Sequence, residues 1–403
     1  MAFWDIFKGK PKSFLGIDVG TSSIKVVQLS KERNRVKLDT YGQLETYAYA
    51  ERFNDAIQTS SLKMLDSQVA DLIKKLLRES KAVSRDVTMS IPIFSSFSTV
   101  IEIPPIPEKE LERAIPFEAR QYVPIPLAEV VLDWTIMKAK EEPKVEKPKE
   151  KEKKDLTAQA GEEKKAEEAK AEEKKAAEKK EEEERGREIK SPRLQILLTA
   201  VPKEVITKYN RIAKLAGLNL RGLEVETAAS VRSIIGNDKS TVLLMDFGAR
   251  STNINVIYNG YPVMSHSIDT AGFDLTKVLS QGMGVSLRRA EDLKKERGLK
   301  AGLAEAEMIS IMTPLVDKIF TETERIVNIY VRRTGKRLDR VVILGGGALL
   351  PGVEEYVSLR LGLPAVTGNS FARVIYPPIL EPMIKEIGPM FSVAVGLGMR
   401  EIV

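Results

Sequence analysis

Two stretches of the chain repeat one spacing of an aspartate, a glycine, a serine and a further polar residue. The matching residues are Asp18, Gly20, Ser23 and Lys25 in the first stretch, and Asp246, Gly248, Ser251 and Asn253 in the second. A short polar turn that holds a glycine between two β-rich runs is typical of a hairpin. Backbone N–H groups and hydroxyls in such turns suit phosphate oxygens, and the aspartates suit a hydrated Mg²⁺. The repeat therefore predicts two similar lobes that face one ligand, with Asp18 and Asp246 as metal-binding residues.

The turn residues are the predicted phosphate contacts. They are Gly20, Thr21, Ser22, Ser23 and Lys25 in the first turn, and Gly248, Ala249, Arg250 and Ser251 in the second.

Two further features are suited to the adenosine half of a nucleotide. A triglycine, Gly345–Gly347, follows a buried strand and allows the backbone to approach a flat ligand closely. Glu291, Lys294 and Lys295 lie within about one helical turn and suit ribose hydroxyls and base edges. Each feature is weak alone, but their order along the chain favours one nucleotide site.

Composition excludes several classes of function. The 403 residues contain no cysteine and a single histidine, His266, which excludes thiolate or histidine-rich metal sites and argues against a Ser-His-Asp triad. The net charge is +6, without a basic stripe interleaved with aromatic residues, so nucleic-acid binding is not indicated. No run of about 18 apolar residues exists, so we expect no membrane-spanning helix.

Strands and helices alternate along the chain, which indicates an α/β fold. The two hairpins each begin a lobe, and a helix over Ser67–Glu79 has apolar residues at helical spacing. We expect a helix over Glu108–Tyr122, a helix over Thr227–Ile235, and a helix with Pro351 at its first position.

Two segments fall outside this pattern. Residues 138–190 are rich in Glu, Lys and Ala, with 18 basic and 18 acidic residues and no apolar stripe, so we expect a solvated helix or a disordered loop. The N-terminal leader, residues 1–12, places Phe3, Trp4 and Phe7 on one helical side. Packing on the body, disorder and insertion at a membrane interface all remain open for it.

Together these motifs resemble the actin/Hsp70-like ATPase superfamily over the whole chain except the charged insert. The resemblance implies a two-lobed actin-like (ribonuclease H-like) fold, with the connecting helices near Leu223–Ala229 and Val393–Gly398. The implied divisions are 1–12 (leader), 13–92 (first lobe core, 1A), 93–202 (additional subdomain, 1C, interrupted by insert 138–190), 203–235 (first lobe core), 236–267 (second lobe core, 2A), 268–337 (upper second lobe, 2B), 338–384 (second lobe core) and 385–403 (return to the first lobe).

Within that superfamily the chain resembles the PilM family of type IV pilus assembly proteins. Pro116–Pro126, which reads Pro-Phe-Glu-Ala-Arg-Gln-Tyr-Val-Pro-Ile-Pro, is similar to the additional subdomain that PilM shares with the cell-division protein FtsA. The resemblance implies ATP and Mg²⁺ as cofactors and the cytoplasmic N-terminal peptide of PilN as partner. It also implies contacts with PilO, PilP, PilC and the motor ATPases, self-association in a ring, a role in motility, and a cytoplasmic location peripheral to the inner membrane.

Departures from the superfamily pattern bear on catalysis. Ala249-Arg250 replaces the usual glycine of the second turn, so we expect either a different turn or an Arg250 that reaches toward phosphate. Val225 falls on the catalytic glutamate position, and the candidates Glu224 and Glu226 flank it and are expected to point elsewhere. We therefore predict ATP binding with slow or absent hydrolysis. The alternatives are an FtsA-like membrane-associated filament protein and a sugar-kinase-like transferase, for which no catalytic base stands out.

Overall fold

The computed structural model describes residues 13–46, 64–137, 193–300 and 306–403. The predictions for the leader and for the charged insert 138–190 lie outside these residues.

The described strands follow the chain in this order: β1 (Ser13–Val19), β2 (Ser23–Glu32), β3 (Arg35–Glu45), β4 (Asp86–Ile91), β5 (Phe97–Ile103), β6 (Val130–Ile136), β7 (Leu194–Pro202), β8 (Asn219–Val225), β9 (Val242–Phe247), β10 (Thr252–Tyr258), β11 (Tyr261–Ile268), β12 (Arg340–Leu344), β13 (Ala365–Thr367) and β14 (Val374–Ile375).

The described α-helices are α1 (Asp66–Glu79), α2 (Glu108–Ala119), α3 (Lys203–Ala216), α4 (Glu226–Ser230), α5 (Gly272–Met283), α6 (Leu287–Arg297), α7 (Ala306–Thr334), α8 (Val353–Leu361), α9 (Glu381–Ile387) and α10 (Ser392–Met399).

The first two sheets repeat one topology. Among the described residues the first has the order β14-β3-β2-β1-β4-β8 and the second has the order β11-β10-β9-β12-β13. In each sheet an antiparallel three-strand meander is extended by parallel strands beside its first strand. The two predicted hairpins, β1–β2 and β9–β10, therefore occupy equivalent positions, and the turn that follows the first strand of each sheet lies at its carboxyl end.

A third, smaller sheet is formed by strands that lie between β4 and β8 along the chain. It is antiparallel, with the order β5-β7-β6. Helix α2 covers one face of it, because Leu111, Ile115 and Ala119 pack on strand residues such as Ile101 and Ile196. Strand β11 of the second sheet lies beside β5, so this small sheet contacts both lobes.

Helices α4 and α10 cross between the two large sheets. A Cβ on Gly396 would lie 1.8 Å from the carbonyl oxygen of Ala229, and one on Gly16 would lie 2.0 Å from that of Ala394. Only glycine permits these approaches, which bring α10 against both α4 and β1. The Ser233 hydroxyl donates to the Ser392 carbonyl at 2.7 Å and fixes the crossing.

Several predicted helix bounds differ from the structure. The helix predicted over Glu108–Tyr122 ends at Ala119, and the one predicted over Thr227–Ile235 changes from α to π geometry at Val231. Pro351 is not the first helical position, because Gly352 takes a left-handed conformation (φ 81°) and α8 begins at Val353. Within the described ranges, none of the helices combines the length and the apolar composition that crossing a bilayer requires.

Candidate functional site

The two hairpin turns are closed by the same hydrogen bond. The Gly20 N–H donates to the Ser23 carbonyl at 3.1 Å, and the Gly248 N–H donates to the Ser251 carbonyl at 3.1 Å. A Cβ on Gly20 would lie 3.0 Å from the Ser23 oxygen, and one on Gly248 would lie 2.7 Å from the Ser251 oxygen. The second turn therefore requires glycine at Gly248, and at Gly20 a larger residue would be in tight contact with the first turn.

The second turn does not depart from the first in the way that its sequence suggested. Neither Ala249 nor Arg250 has a positive φ, so the replacement of glycine strains neither residue. The guanidinium of Arg250 lies 6.0 Å from the centre of the Phe273 ring, a cation–π contact at the start of α5. The Gly272 and Phe273 N–H groups donate to the carbonyls of Gly248 and Ala249 at 3.1 and 2.8 Å. The second turn is thereby joined to α5.

Asp18, at the end of β1, is held by its neighbours. The Ser90 hydroxyl donates to Asp18 Oδ1 at 3.0 Å and itself accepts the Val19 N–H at 3.1 Å. The Lys25 ammonium lies 3.5 Å from Asp18 Oδ2. Asp18 is only 5% exposed, so its carboxylate orientation is set before any ligand arrives.

Asp246, at the equivalent end of β9, has a different environment. Among the described residues it makes no hydrogen bond, and it is half-buried. Burial raises the pKa of Asp246 to about 6, and the Asp18 carboxylate adds to that rise while the Lys25 ammonium opposes it. Asp18, Lys25 and Asp246 therefore lie near enough to interact electrostatically across the ends of β1 and β9.

The two candidate glutamates have separate roles. Glu224 forms a bidentate pair with Arg232, whose nitrogens lie 2.7 and 2.5 Å from its two oxygens, and it is engaged there. Glu226 faces Asp18 and Asp246, and burial together with these two carboxylates raises the pKa of Glu226 well above its usual value. The expectation that both glutamates point away from the site is therefore wrong for Glu226. Its position at the start of α4, directly after β8, turns it back toward the carboxyl ends of β1 and β9.

The triglycine lies beside Asp246. Gly345 has a φ of +76°, and a Cβ there would lie 2.5 Å from Asp246 Oδ1, while one on Gly347 would lie 2.3 Å from the Phe247 ring. Gly346 is exposed, and a Cβ on it would meet nothing within 4 Å. Two of the glycines are thus needed for packing, and Gly346 presents bare backbone to open space next to the cleft.

Of the three charged residues predicted on α6, Lys294 points into the protein and Lys295 points toward solvent. Lys294 is 6% exposed, and its ammonium donates to the Gly272 carbonyl at 2.8 Å, to Thr276 Oγ1 at 2.7 Å and to Glu291 Oε2 at 2.7 Å. Lys295 is exposed and lies 3.4 Å from Glu291 Oε1. All three ammonium hydrogens of Lys294 are engaged inside the protein, so its described role is to join α6 to α5 beside the second turn.

Two polar groups near the site were not among the predicted site residues. Asn253, the cross-strand partner of Asp246, is 6% exposed, and its Oδ1 has no hydrogen-bond partner among the described residues. Ser90, which orients Asp18, lies on a strand that looks like an ordinary buried strand in the sequence. Asn253 could have been predicted as a site residue, because it matches Lys25 in the sequence repeat. Ser90 could not, because the sequence shows only a hydroxyl among apolar residues.

This arrangement fits a magnesium–nucleotide. Among the described residues, Asp18, Asp246 and Glu226 concentrate negative charge near the ammonium of Lys25. Asn253 Oδ1 is buried beside Asp246 without a hydrogen-bond partner in this part of the chain. Within the described ranges no group of three or more acidic, histidine or cysteine side chains is arranged to hold a metal directly. The Asp18 and Asp246 carboxylates suit a hydrated Mg²⁺ that keeps most of its waters.

Comparison with known sequences gives a match to one family over nearly the whole chain. The model of the family described as type IV pilus assembly protein PilM matches residues 16–174 and 185–402.

Cell division protein FtsA is a more distant relative. The chain is 25% identical over 211 residues to FtsA of Streptococcus pneumoniae serotype 2 (strain D39), a match that covers 44% of this chain and 46% of that protein. It is 26% identical over 173 residues to FtsA of Bacillus subtilis (strain 168), covering 38% and 39%. The chain thus spans less than half the length of these two relatives.

Among solved structures, the chain is similar to one from the PilM-PilN type IV pilus biogenesis complex. The TM-score is 0.70 at 22% identity, and the match covers 96% of this chain and 98% of that chain. This likeness confirms the predicted α/β fold class, a two-lobed actin-like fold.

Proposed function

Because the chain belongs to the family of type IV pilus assembly proteins PilM, we propose that it is an ATP-binding adaptor of the inner-membrane assembly platform of the type IV pilus. In this proposal the chain binds the cytoplasmic N-terminal peptide of PilN and links it to the pilus motor. The nucleotide part of the proposal rests on one observation: the Asp18 and Asp246 carboxylates interact electrostatically, and each lies at the end of a strand whose turn is closed by the same hydrogen bond. The family carries the pilus part.

The two turns supply the phosphate contacts. The Gly20 and Gly248 N–H groups close the turns, so the proposed phosphate donors are the other N–H groups and the hydroxyls of residues 20–23 and 248–251, at the ends of β1 and β9. Lys25 adds a positive charge between the lobes. Bound Mg²⁺ would neutralise phosphate charge, with Asp18 and Asp246 holding its waters. Because each lobe contributes one turn, binding at both turns favours the closed arrangement of the lobes.

Adenosine would lie against the triglycine and α6. Gly346 offers open backbone beside the cleft, and Glu291 and Lys295 lie on the outward side of α6. Lys294 would act on the nucleotide through Gly272 and the second turn, because its own donors are engaged.

Slow or absent hydrolysis is part of the proposal because Val225, rather than a glutamate, falls at the catalytic position of the superfamily pattern. Glu226, the next residue, faces Asp18 and Asp246, and burial together with these two carboxylates raises its pKa. We expect phosphate release slower than about 1 per second, the lower end of ordinary enzyme turnover.

The partner assignments rest on the family. The similar solved chain comes from a PilM-PilN complex, which supports PilN as the direct partner. Contacts with PilO, PilP, PilC and the motor ATPases, a cytoplasmic location at the inner membrane, and assembly into a ring are part of the same proposal.

The test combines two binding measurements on the full chain. Affinity for a fluorescent ATP analogue, with Mg²⁺ and with a chelator, should fall when Mg²⁺ is removed. A labelled N-terminal peptide of PilN from the same genome should bind, more tightly with Mg-ATP, whereas a scrambled peptide should not. Failure of the peptide to bind in either state would contradict the adaptor role, and phosphate release at an enzymatic rate that disappears in Asp246→Ala would contradict slow hydrolysis.

A further inference from the structure

The edge of each large sheet that lies opposite the candidate site carries a hairpin turn. In the first sheet β2 turns into β3 at Arg33-Asn34, and in the second β10 turns into β11 at Asn259-Gly260. These four residues have φ values of 47°, 65°, 53° and 81°, the left-handed conformation that a tight two-residue turn requires. The parallel strands of both sheets begin at this same edge, which we call the amino edge.

The amino edges of the two sheets adjoin. Arg373 directly precedes β14 at the first amino edge, and its guanidinium donates to the Arg232 carbonyl in the segment between α4 and β9. The same guanidinium lies against Gly236, where this segment turns toward the second sheet. The two amino edges therefore lie on one side of the molecule, away from the candidate site at the carboxyl ends of β1 and β9.

Positive charge is concentrated on this side of the molecule. We define the basic face as residues 31–35, 236–241 and 332–340 together with Arg373, which form turns, strand starts and the end of α7 at the two amino edges. These residues include ten Lys or Arg and three Asp or Glu, a net charge of +7, whereas the whole chain has a net charge of +6. The excess positive charge of the chain thus lies on the basic face.

The three acidic groups of the basic face are all engaged within the protein. Their partners lie at 2.5 to 2.7 Å and are Lys37 for Glu32, Arg340 for Asp238, and the Thr241 N–H for Asp339. Six basic side chains of the face are exposed and form no ion pair among the described residues, namely Arg33, Arg35, Lys239, Arg332, Arg333 and Arg337. The positive charge of the face is therefore presented to the surroundings.

Two tyrosines flank the second hairpin turn beside the basic face. Tyr258 and Tyr261 are partly exposed, and the Lys336 ammonium lies 3.7 Å from the centre of the Tyr258 ring. Tyrosine has an apolar ring and a polar tip, so it is favoured at the level of lipid headgroups. Basic side chains beside such rings are attracted to the phosphate groups of anionic lipids. The combination favours a lipid surface over a purely polar acidic partner.

We propose that the basic face binds the surface of a membrane that contains anionic lipids. Each lysine or arginine near such a surface strengthens binding about fivefold. The candidate site lies at the carboxyl ends of the strands, and β4 also leads toward the small sheet from its carboxyl end. A chain bound through its basic face therefore keeps both of these regions directed away from the lipid. The inference goes beyond the proposed function, because it concerns direct contact with lipid and needs neither nucleotide nor PilN.

The experiment is flotation of the full chain with lipid vesicles, without nucleotide or PilN. Vesicles of phosphatidylcholine alone are compared with vesicles in which about one third of the lipid is phosphatidylglycerol. The chain should bind the anionic vesicles more tightly by about tenfold or more, and less so as the Debye length falls from ~10 Å at ~0.1 M salt to ~3 Å at ~1 M salt. Arg333→Gln with Arg337→Gln should lower the affinity for anionic vesicles by about 30-fold. The unfolding temperature of this variant should not change, because both side chains are exposed.

Arg113→Gln with Arg120→Gln is the matched control. Both arginines are exposed, on α2 and at its C-terminal end in the additional subdomain. The control removes the same charge away from the basic face and should leave vesicle binding unchanged. Equal losses in the two double variants would mean that overall charge alone drives binding, and equal binding to neutral and anionic vesicles would mean that charge plays no part. Either result overturns the proposal.

Two further arms separate other sources of binding. Replacing Phe3, Trp4 and Phe7 with serine tests the N-terminal leader, and the effect of the double variant Arg333→Gln with Arg337→Gln should persist in that background. A DNA duplex at the same phosphate concentration should compete only weakly with the anionic vesicles. If the leader variant abolishes binding while the arginine variant does not, or if DNA displaces the vesicles completely, the basic face is not a lipid-binding surface, and the proposed function still stands.

Discussion

The two hairpins share a backbone and differ in how each holds its aspartate. Both turns are closed by a glycine N–H that donates to a serine carbonyl at 3.1 Å. In the first hairpin, Asp18 accepts hydrogen bonds from Ser90 and Lys25. In the second hairpin Asp246 has no such partner among the described residues, and its pKa rises to about 6. The Asp18 carboxylate is therefore already oriented by hydrogen bonds, whereas the Asp246 carboxylate has no bonded positive group among the described residues.

This difference shows how a site built from two similar halves can respond to a ligand. In the first hairpin, the Asp18 carboxylate is paired with Lys25 and oriented by Ser90 before any ligand binds. In the second hairpin, the Asp246 carboxylate is desolvated without a bonded cation in the described part of the chain, and a bound Mg²⁺ would offset that unfavourable free energy. The second lobe is thus the one whose free energy changes most when Mg-nucleotide binds, and it carries the additional contacts to α5 and β11.

The largest expected effect comes from Asp246→Asn. Loss of a carboxylate at the metal position should weaken Mg-ATP binding by about 1,000-fold, or about 4 kcal/mol. The same variant should unfold at a higher temperature than wild type without nucleotide, since it removes an unpaired buried charge. Asp18→Asn should also weaken binding but should unfold at a lower temperature, because it breaks the pair with Lys25.

Asp238→Asn controls for the loss of an aspartate in the second lobe. Asp238 is bonded to Ser240 and Arg340, so its replacement should affect stability and leave nucleotide affinity unchanged. Equal shifts in unfolding temperature for Asp18→Asn and Asp246→Asn would contradict the difference between the two hairpins.

The next largest effects are expected from substitutions of Lys294 and Lys25. Lys294→Met should lower the free energy of unfolding by about 3 kcal/mol, because it leaves Glu291 without its buried partner and removes the bond to Gly272. Lys25→Met loses one contact of 3.5 Å and should cost less than about 1 kcal/mol, while weakening Mg-ATP binding by about tenfold. Chemical denaturation and nucleotide titration of both variants give the comparison. A stability loss for Lys25→Met as large as that for Lys294→Met would show that Lys25 is structural.

The sequence predicted the hairpins, the presence of two similar lobes and the α/β class because these depend on local patterns. An Asp-x-Gly turn between apolar strands determines its own closing bond, as Gly20 and Gly248 show. The superfamily pattern placed Val225 at the catalytic position, and Glu226, although a candidate, was expected to point elsewhere. The position of Glu226 depends on where β8 ends and α4 begins, and on the pairing of Val225 with Ile91 in a distant strand.

Long-range contacts explain the other differences. The sequence identified Lys294 as a nucleotide contact because it shares a helical turn with Glu291 and Lys295. Its inward orientation results from the Gly272 carbonyl and Thr276, which lie about twenty residues earlier on α5. Ser90 could not be identified from its own strand, since its function is defined by Asp18, 72 positions away.

The pH dependence of stability gives the smallest of these effects and tests the pairing of charges directly. The folded pKa of Asp246 is raised from 3.8 to about 6, so the folded protein binds this proton more tightly than the unfolded chain does. The associated stability is fully present below about pH 4 and is lost as the pH rises through about 6. Allowing for screening by water in the open cleft, the loss should be about 2 kcal/mol.

The measurement is the difference in unfolding free energy between wild type and Asp246→Asn, from chemical denaturation with a chelator present. This difference should become more unfavourable to wild type between pH 4 and pH 6.5, and adding Mg-ATP should reverse it. If the difference were flat across this range, the Asp246 carboxylate would already be compensated in the folded protein, and the second hairpin would have no unpaired charge for a cation to neutralise.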